Sequence, residues 1–156
     1  MDEQKPKKEW VREFSAGGLV YKRKQGVTYL LLIEPKGPHW GPPVGYWSYP
    51  KGRIGDSDPS DTPESAALRE VREEGGVSGK IVEKLGDIKY TFEWEGRNIF
   101  KIVTYYLMEY LDGDPSDHDH EVAQAAWFPL HQVPDKLKFS HDKAIFKKAS
   151  ELLKLL

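Results

Sequence analysis

Cysteine is absent from this 156-residue chain, which excludes a disulfide scaffold, a thiolate zinc centre and a cysteine nucleophile. Long apolar runs are absent too. No stretch approaches the roughly 20 apolar residues that a bilayer-spanning helix needs, and the opening MDEQKPKKEW has no apolar leader core. Neither sign of charge dominates: 23 Lys and Arg stand against 25 Asp and Glu, a net −2, so nothing global marks a nucleic-acid or membrane-surface binder. Internal repeats and low-complexity tracts are missing as well. What is there, 38% hydrophobic and 31% charged residues, suits one globular domain with a substantial core. The expectation is a soluble, cytoplasmic protein with a charged, flexible stretch over residues 1–9 and a single domain over 10–156. The sequence leaves the oligomeric state open.

The pattern then divides into elements. FSAGGLVYKR and VTYLLLIE read as strands around a Lys24-Gln25-Gly26 turn. Residues 34–50 form a Gly/Pro-rich loop that cannot be helical, long enough to suggest a functional role. Thr62-Pro63 reads as an N-cap followed by proline at the first helical position, opening a helix that runs to about Glu74. Its Leu68 and Val71 point away from the carboxylates by the 3.6-residue period. More strands follow, with a hairpin turn near Glu95-Gly96, then an acidic loop, DGDPSDHDHE, and the strand VAQAAWFPL. A last helix is expected from Ser140 as its cap, with Ile145, Ala149, Leu152, Leu153 and Leu156 as its apolar stripe. Strands, a helix, more strands and a closing helix predict a mixed sheet with helices packed on its faces.

One stretch is locally unfavourable. In REVREEGGV, Glu70, Glu73 and Glu74 are spaced i, i+3, i+4 and share one helix face, where like charges cost roughly 0.2–0.5 kcal/mol per pair. Two of them also sit at the helix C-terminus, where the macrodipole disfavours an anion by roughly 0.3–1 kcal/mol. A divalent cation between them removes both costs, and Mg²⁺ takes such oxygen ligands while keeping waters and substrate phosphates in its shell. On spacing alone, a solvated face partly neutralised by Arg69 and Arg72 is the commoner explanation.

The surroundings reverse that preference. Pro50-Lys51-Gly52, Asp61-Thr62-Pro63-Glu64 and Arg69 to Val77 together resemble the Nudix box, G-x5-E-x7-R-E-U-x-E-E-x-G-U with U aliphatic. The half from Arg69 to Val77 matches at every defined position. The first half departs: Asp61 stands where the family has glutamate, and the glycine of the usual "PKG" context, Gly52, lies nine residues before Asp61, whereas Gly55 has the formal spacing.

The resemblance implies an α/β (α+β) fold, an α/β/α sandwich with a central mixed sheet, a catalytic loop–helix–loop and a C-terminal helix. It implies hydrolysis of a nucleoside diphosphate linked to another group, with Mg²⁺ (Mn²⁺ as the alternative) as cofactor. By position, Glu73 and Glu74 would be metal ligands, Glu70 a further ligand or water-orienting group, and Gly52, ahead of Gly55, the carbonyl donor. Arg69 would brace the carboxylates, and Asp61 would pin the loop to the helix. Glu121, just before the strand ending in Trp127-Phe128, fits the family's additional catalytic or metal-binding glutamate. Asp117, His118, Asp119 and His120 read better as a solvated acidic loop.

The flanking segments FSAGGLVY, WSYPKG, GDIKYTFEWEGRNIFKIVTYYLMEY and LKFSHDKAIFKKA resemble those of bacterial diadenosine polyphosphate hydrolases within the same family. That likeness implies asymmetric cleavage of diadenosine tetraphosphate to ATP and AMP, a small-molecule substrate with neither nucleic acid nor membrane as partner. Lys51 would contact a phosphate, and Tyr90, Trp94, Tyr105 or Tyr106 would stack on a base. Tyr105 and Tyr106 are adjacent and therefore face opposite sides of their strand, one core and one exposed. Trp47 reads as a packing residue, and Lys36, His39 and Trp40 either reach over the site or belong to an inert loop. The rival readings are a MutT-like triphosphate pyrophosphatase, a diphosphoinositol polyphosphate phosphohydrolase, a Nudix-fold binding module without catalysis, and a structural protein.

Overall fold

The computed structural model describes residues 9–38, 41–56 and 58–156. His39 and Trp40, and all but Glu9 of the stretch expected to be flexible, lie outside the described residues. Strand β1 (Trp10–Lys24) turns at Gln25-Gly26 into β2 (Val27–Pro35), and both turn residues have positive φ, 52° and 78°. Such a two-residue turn matches the twist of the strands it joins. Glu95-Gly96 does the same between β4 (Val77–Trp94) and β5 (Arg97–Gly113). With β3 (Lys51–Arg53) and β6 (Val122–Pro129), a six-stranded sheet forms in the order β4-β5-β1-β2-β6, and β3 pairs β1 off that path. The β1–β5 pair is parallel and the other pairs are antiparallel, so the sheet is mixed as expected.

Alternation along β1 and β5 gives the sheet two buried faces. On one, Ala16, Val20, Tyr106 and Met108 meet Ala66, Ala67 and Val71 of α1 (Pro63–Gly75). On the other, Leu19, Val103, Tyr105 and Leu107 meet Ile145, Ala149 and Leu153 of α3 (Ser140–Leu153), while Val133 of the short α2 (Val133–Lys136) closes one side. No helix among the described residues is long and apolar enough to cross a membrane.

Three expectations are corrected here. Leu68 is exposed, and the inward stripe of α1 is made of small residues and Val71. The helix lies close on β1 because Gly18 leaves no room for a side chain: a Cβ there would stand 2.8 Å from both Met108 and Val71. Ser140 is the first residue of α3, and Phe139 holds the cap position with no side-chain hydrogen bond. Leu156 lies beyond the helix and is exposed. The helix end is held instead by Arg23, whose guanidinium donates to the carbonyls of Leu153 (2.8 Å) and Leu156 (3.0 Å), a favourable place for a cation. Trp47 does pack as expected, edge-on to Phe128 with centroids 4.8 Å apart.

Candidate active site

Local chemistry fixes where α1 starts and stops. Thr62 Oγ1 accepts from the Ser65 amide (3.1 Å) while Ser65 Oγ accepts from the Thr62 amide (2.9 Å), a capping box followed by Pro63. Gly76, at φ 74°, ends the helix in the left-handed conformation. Between these ends, Arg69 Nη1 donates to Asp61 Oδ2 at 2.7 Å, and its guanidinium lies 3.8 Å from Glu70 and 4.0 Å from Glu73. Asp61 also accepts from the Gly55 amide (3.1 Å) and from Ser65 Oγ. The shorter aspartate therefore still ties the 53–61 loop to the helix, and Gly55 belongs to that tie.

Gly52 belongs to the carboxylates. A Cβ at Gly52 would stand 2.1 Å from Glu70 Cδ, so only glycine lets this strand lie against the Glu70 carboxylate. The neighbouring Lys51 amide donates to Glu74 Oε1 at 2.8 Å. Burial, with Glu73 second, pushes the Glu70 carboxyl up to about 7 against the pull of Arg69. Burial also pushes Glu74 up to about 8, although the Lys51 amide and charge oppose it. Glu121 is raised as well, by burial and then by Asp119, with His120 opposing and Glu73 adding. The acidic loop closes over the end of α1: the Asp119 amide donates to the Glu73 carbonyl (2.8 Å), and Asp119 Oδ1 accepts from the Glu121 amide (3.0 Å). Asp119 thus caps a helix and places Glu121.

Among the described residues, no three carboxylate or imidazole groups form a ready-made metal cage. The donor set nevertheless fits Mg²⁺. It is all oxygen, its Glu70 and Glu74 carboxyls are held off their ordinary ionisation by burial and then by neighbouring carboxylates, and Mg²⁺ characteristically fills most of its shell with water and substrate oxygens. Glu70, Glu73, Glu74 and the Gly52 carbonyl would hold it, with Glu121 adjoining. A direct test is Gly52→Ala. The clash is with the tip of a flexible side chain, so the fold should survive with a melting point within a few degrees of wild type. Because the Glu70 carboxylate must move, turnover should fall by about 100-fold, as misplacing a reacting group by about 1 Å does. Unchanged turnover would separate Gly52 from the site.

On the other face of the sheet, Lys51 lines a cavity of about 540 Å³ shared with Tyr90, Phe92, Phe139, His141 and Asp142. The His141 ring lies parallel to those of Tyr90 (4.8 Å) and Phe139 (5.2 Å), each at 5°. Of the aromatics singled out in the sequence, Tyr90 is therefore in the cavity. The expectation for Tyr105 and Tyr106 is corrected: both are buried. Tyr105 packs edge-on against Tyr49, with only part of it reaching the cavity wall. Tyr106 faces α1 and donates to Glu64 at 3.1 Å. Helices cover both sheet faces, so opposite directions did not leave one ring exposed. Trp94 is 45% exposed near the hairpin tip.

Two groups escaped sequence reasoning. Lys101 pairs across β1–β5 with Glu13 and across β4–β5 with Tyr90, and burial lowers its ammonium to about 8 with Lys51 contributing. A lysine at a core-facing position in IFKIVTYYL was the available signal. His141, in the stretch that opens α3, had no comparable signal.

The NUDIX domain profile matches residues 11–148. Over 149 residues the chain is 36% identical to a putative mutator protein, MutT4, from Mycobacterium tuberculosis (strain CDC 1551 / Oshkosh), a match covering 92% of this chain and 56% of that protein. The chain thus spans little more than half of that relative. It is 26% identical over 140 residues to the asymmetrical bis(5'-nucleosyl)-tetraphosphatase of Caenorhabditis elegans, covering 89% of this chain and 95% of that one. The crystal structure of a C. elegans Ap4A hydrolase binary complex superimposes with a TM-score of 0.72 at 24% identity, over 92% of this chain and 99% of that one, and so shares the fold. With its box, its sheet and its profile match in agreement, the chain belongs to the Nudix family.

Proposed function

We propose that the protein hydrolyses a phosphoanhydride of a nucleoside polyphosphate, with diadenosine tetraphosphate cleaved asymmetrically to ATP and AMP as the leading substrate. One observation carries this reading: an aromatic cavity sized for a nucleoside and a crowded carboxylate helix meet at Lys51, which lines the first and whose amide binds Glu74 of the second. A base enters the cavity beside the stacked Tyr90, His141 and Phe139 rings, and Lys51 on its wall takes phosphate oxygens. Bound Mg²⁺ supplies charge neutralisation and a more acidic water. Glu121 accepts the proton as the water oxygen bonds to one phosphorus of the scissile anhydride. The bond from that phosphorus to the bridging oxygen breaks, and the leaving phosphate departs with that oxygen. Arg69 holds the carboxylate face in place through Asp61 and touches no substrate.

The 36% identity to a protein named as a putative mutator supports a second reading, a MutT-like triphosphate pyrophosphatase. Incubation with Mg²⁺ and diadenosine tetraphosphate, with products resolved by anion exchange, separates the two. ATP plus AMP is the expected result. Two ADP molecules would defeat the asymmetric reading. Cleavage of nucleoside triphosphates to monophosphates, with the dinucleotide untouched, would put the MutT-like activity in its place.

A further inference from the structure

Asp142 is 3% exposed, and its surroundings do not explain why it is an acid. Its Oδ2 accepts from Ser48 Oγ at 3.1 Å, and its backbone carbonyl accepts from Tyr49 Oη at 2.6 Å. His141 Nε2 stands 3.7 Å from Oδ1, beyond hydrogen-bonding distance. Burial raises this carboxyl, and Lys51, His141 and Ser48 only partly offset that. A buried carboxylate with so little compensation costs stability, and an asparagine would serve the Ser48 bond as well. The helix does not need it for docking either, since Ile145, Ala149 and Leu153 already hold α3 on the sheet.

The location is informative. Asp142 lines the cavity next to His141, whose ring stacks on Tyr90. Its two bonds fall on Ser48 and Tyr49, directly ahead of Pro50, Lys51 and Gly52. That backbone is held at Pro50, whose carbonyl accepts from the Gly18 amide (3.1 Å), and at Lys51, whose amide meets Glu74. One residue therefore joins the cavity wall to the short segment that presents Lys51 to phosphate and Gly52 to the carboxylates.

We propose that Asp142 is a positioning residue: through Ser48 and Tyr49 it sets the Lys51–Gly52 backbone against Glu70 and Glu74, and its charge steers the Lys51 ammonium toward the phosphate path. This rests on the nucleotide-hydrolase reading above. The chemistry assigns Asp142 no contact with the reacting atoms. Misplacement of a catalytic strand lowers the rate of the chemical step more than it weakens binding, which gives the role a signature.

The test pairs Asp142→Asn with Ser48→Ala, measuring kcat and KM for diadenosine tetraphosphate with Mg²⁺ alongside melting temperature. Asp142→Asn keeps an acceptor for Ser48 and removes the buried charge, so its melting temperature should equal or exceed wild type. Both hydrogen bonds stay and only the charge that steers Lys51 is lost, so its kcat should nevertheless fall about tenfold, with KM within about twofold. Ser48→Ala should lower kcat by a similar factor. Parallel losses of melting temperature and kcat in Asp142→Asn would make the residue merely structural and overturn the proposal. So would a raised KM at constant kcat, which would make it a simple ligand contact, and so would wild-type kinetics in both variants. If the wild type cleaves triphosphates instead, the same comparison is run on them. If it cleaves no nucleotide, the hydrolase reading falls first and takes this one with it.

Discussion

Glu74→Gln should cut turnover by about a thousandfold while making the metal-free protein more stable above neutral pH. Glu74 is buried, and its carboxyl is pushed up to about 8, chiefly by that burial. Glutamine copies the protonated form in size, and its carbonyl can still accept from the Lys51 amide, which meets Glu74 Oε1 at 2.8 Å. The fold thus keeps its hydrogen bond and loses a charge that it holds at a cost. On the proposed reading, catalysis loses an anionic oxygen that would hold the metal. Removing one preorganised electrostatic contact of this kind typically costs a factor of about 10²–10³, and a metal ligand sits at the upper end, roughly 4 kcal/mol of barrier. Product formation measured at saturating Mg²⁺, beside thermal melts in chelator, decides the matter. A variant that keeps near-wild-type turnover would show Glu74 to be a packing group. One that loses both turnover and stability would show that its acidity serves the fold.

The conflict between stability and acidity expected at Glu74 is also what made part of the candidate site legible in the sequence. Glutamates crowding a helix C-terminus contradict local stability, and such a contradiction is visible in one dimension. The cap at Thr62 and the turns at Gly26 and Gly96 were legible too, since each is local backbone chemistry. What the sequence concealed depends on which elements meet. The ambiguity between Gly52 and Gly55 disappears only when β3 is laid against α1, where one glycine touches Glu70 and the other ties to Asp61. Leu68 is exposed, and the residues of α1 that face the sheet are Ala66, Ala67, Val71 and Gly75. Tyr105 and Tyr106 point in opposite directions as alternation requires, yet a helix covers each side. The cavity needed the start of α3 to fold back over β4, bringing His141 onto Tyr90 from 51 positions away, and no local pattern announces that.

In chelator, the melting temperature should fall as pH rises from about 5 to 8.5, and Mg²⁺ should remove that fall. Glu70 and Glu74 stand at about 7 and about 8 in the folded protein, above the ordinary glutamate value near 4.5. The folded state therefore holds protons that the unfolded chain has already released, and stability declines with pH wherever the folded state binds more protons. The contribution is intact below about pH 4.5 and is lost as pH passes through 7 to 8. Each pKa unit is worth about 1.4 kcal/mol. Mutual repulsion links the two groups, so the combined loss is on the order of a few kcal/mol, or roughly 10 °C for a chain of this size. A bound dication reverses the preference by favouring the ionised forms, so the melting-temperature difference between Mg²⁺ and chelator should widen steadily with pH. Glu74→Gln should flatten the chelator curve, because the group responsible for much of the slope no longer titrates. Equal slopes with and without Mg²⁺ would mean that these carboxyls do not meet the metal. A chelator curve that rises with pH would mean that their burial is compensated from within the protein.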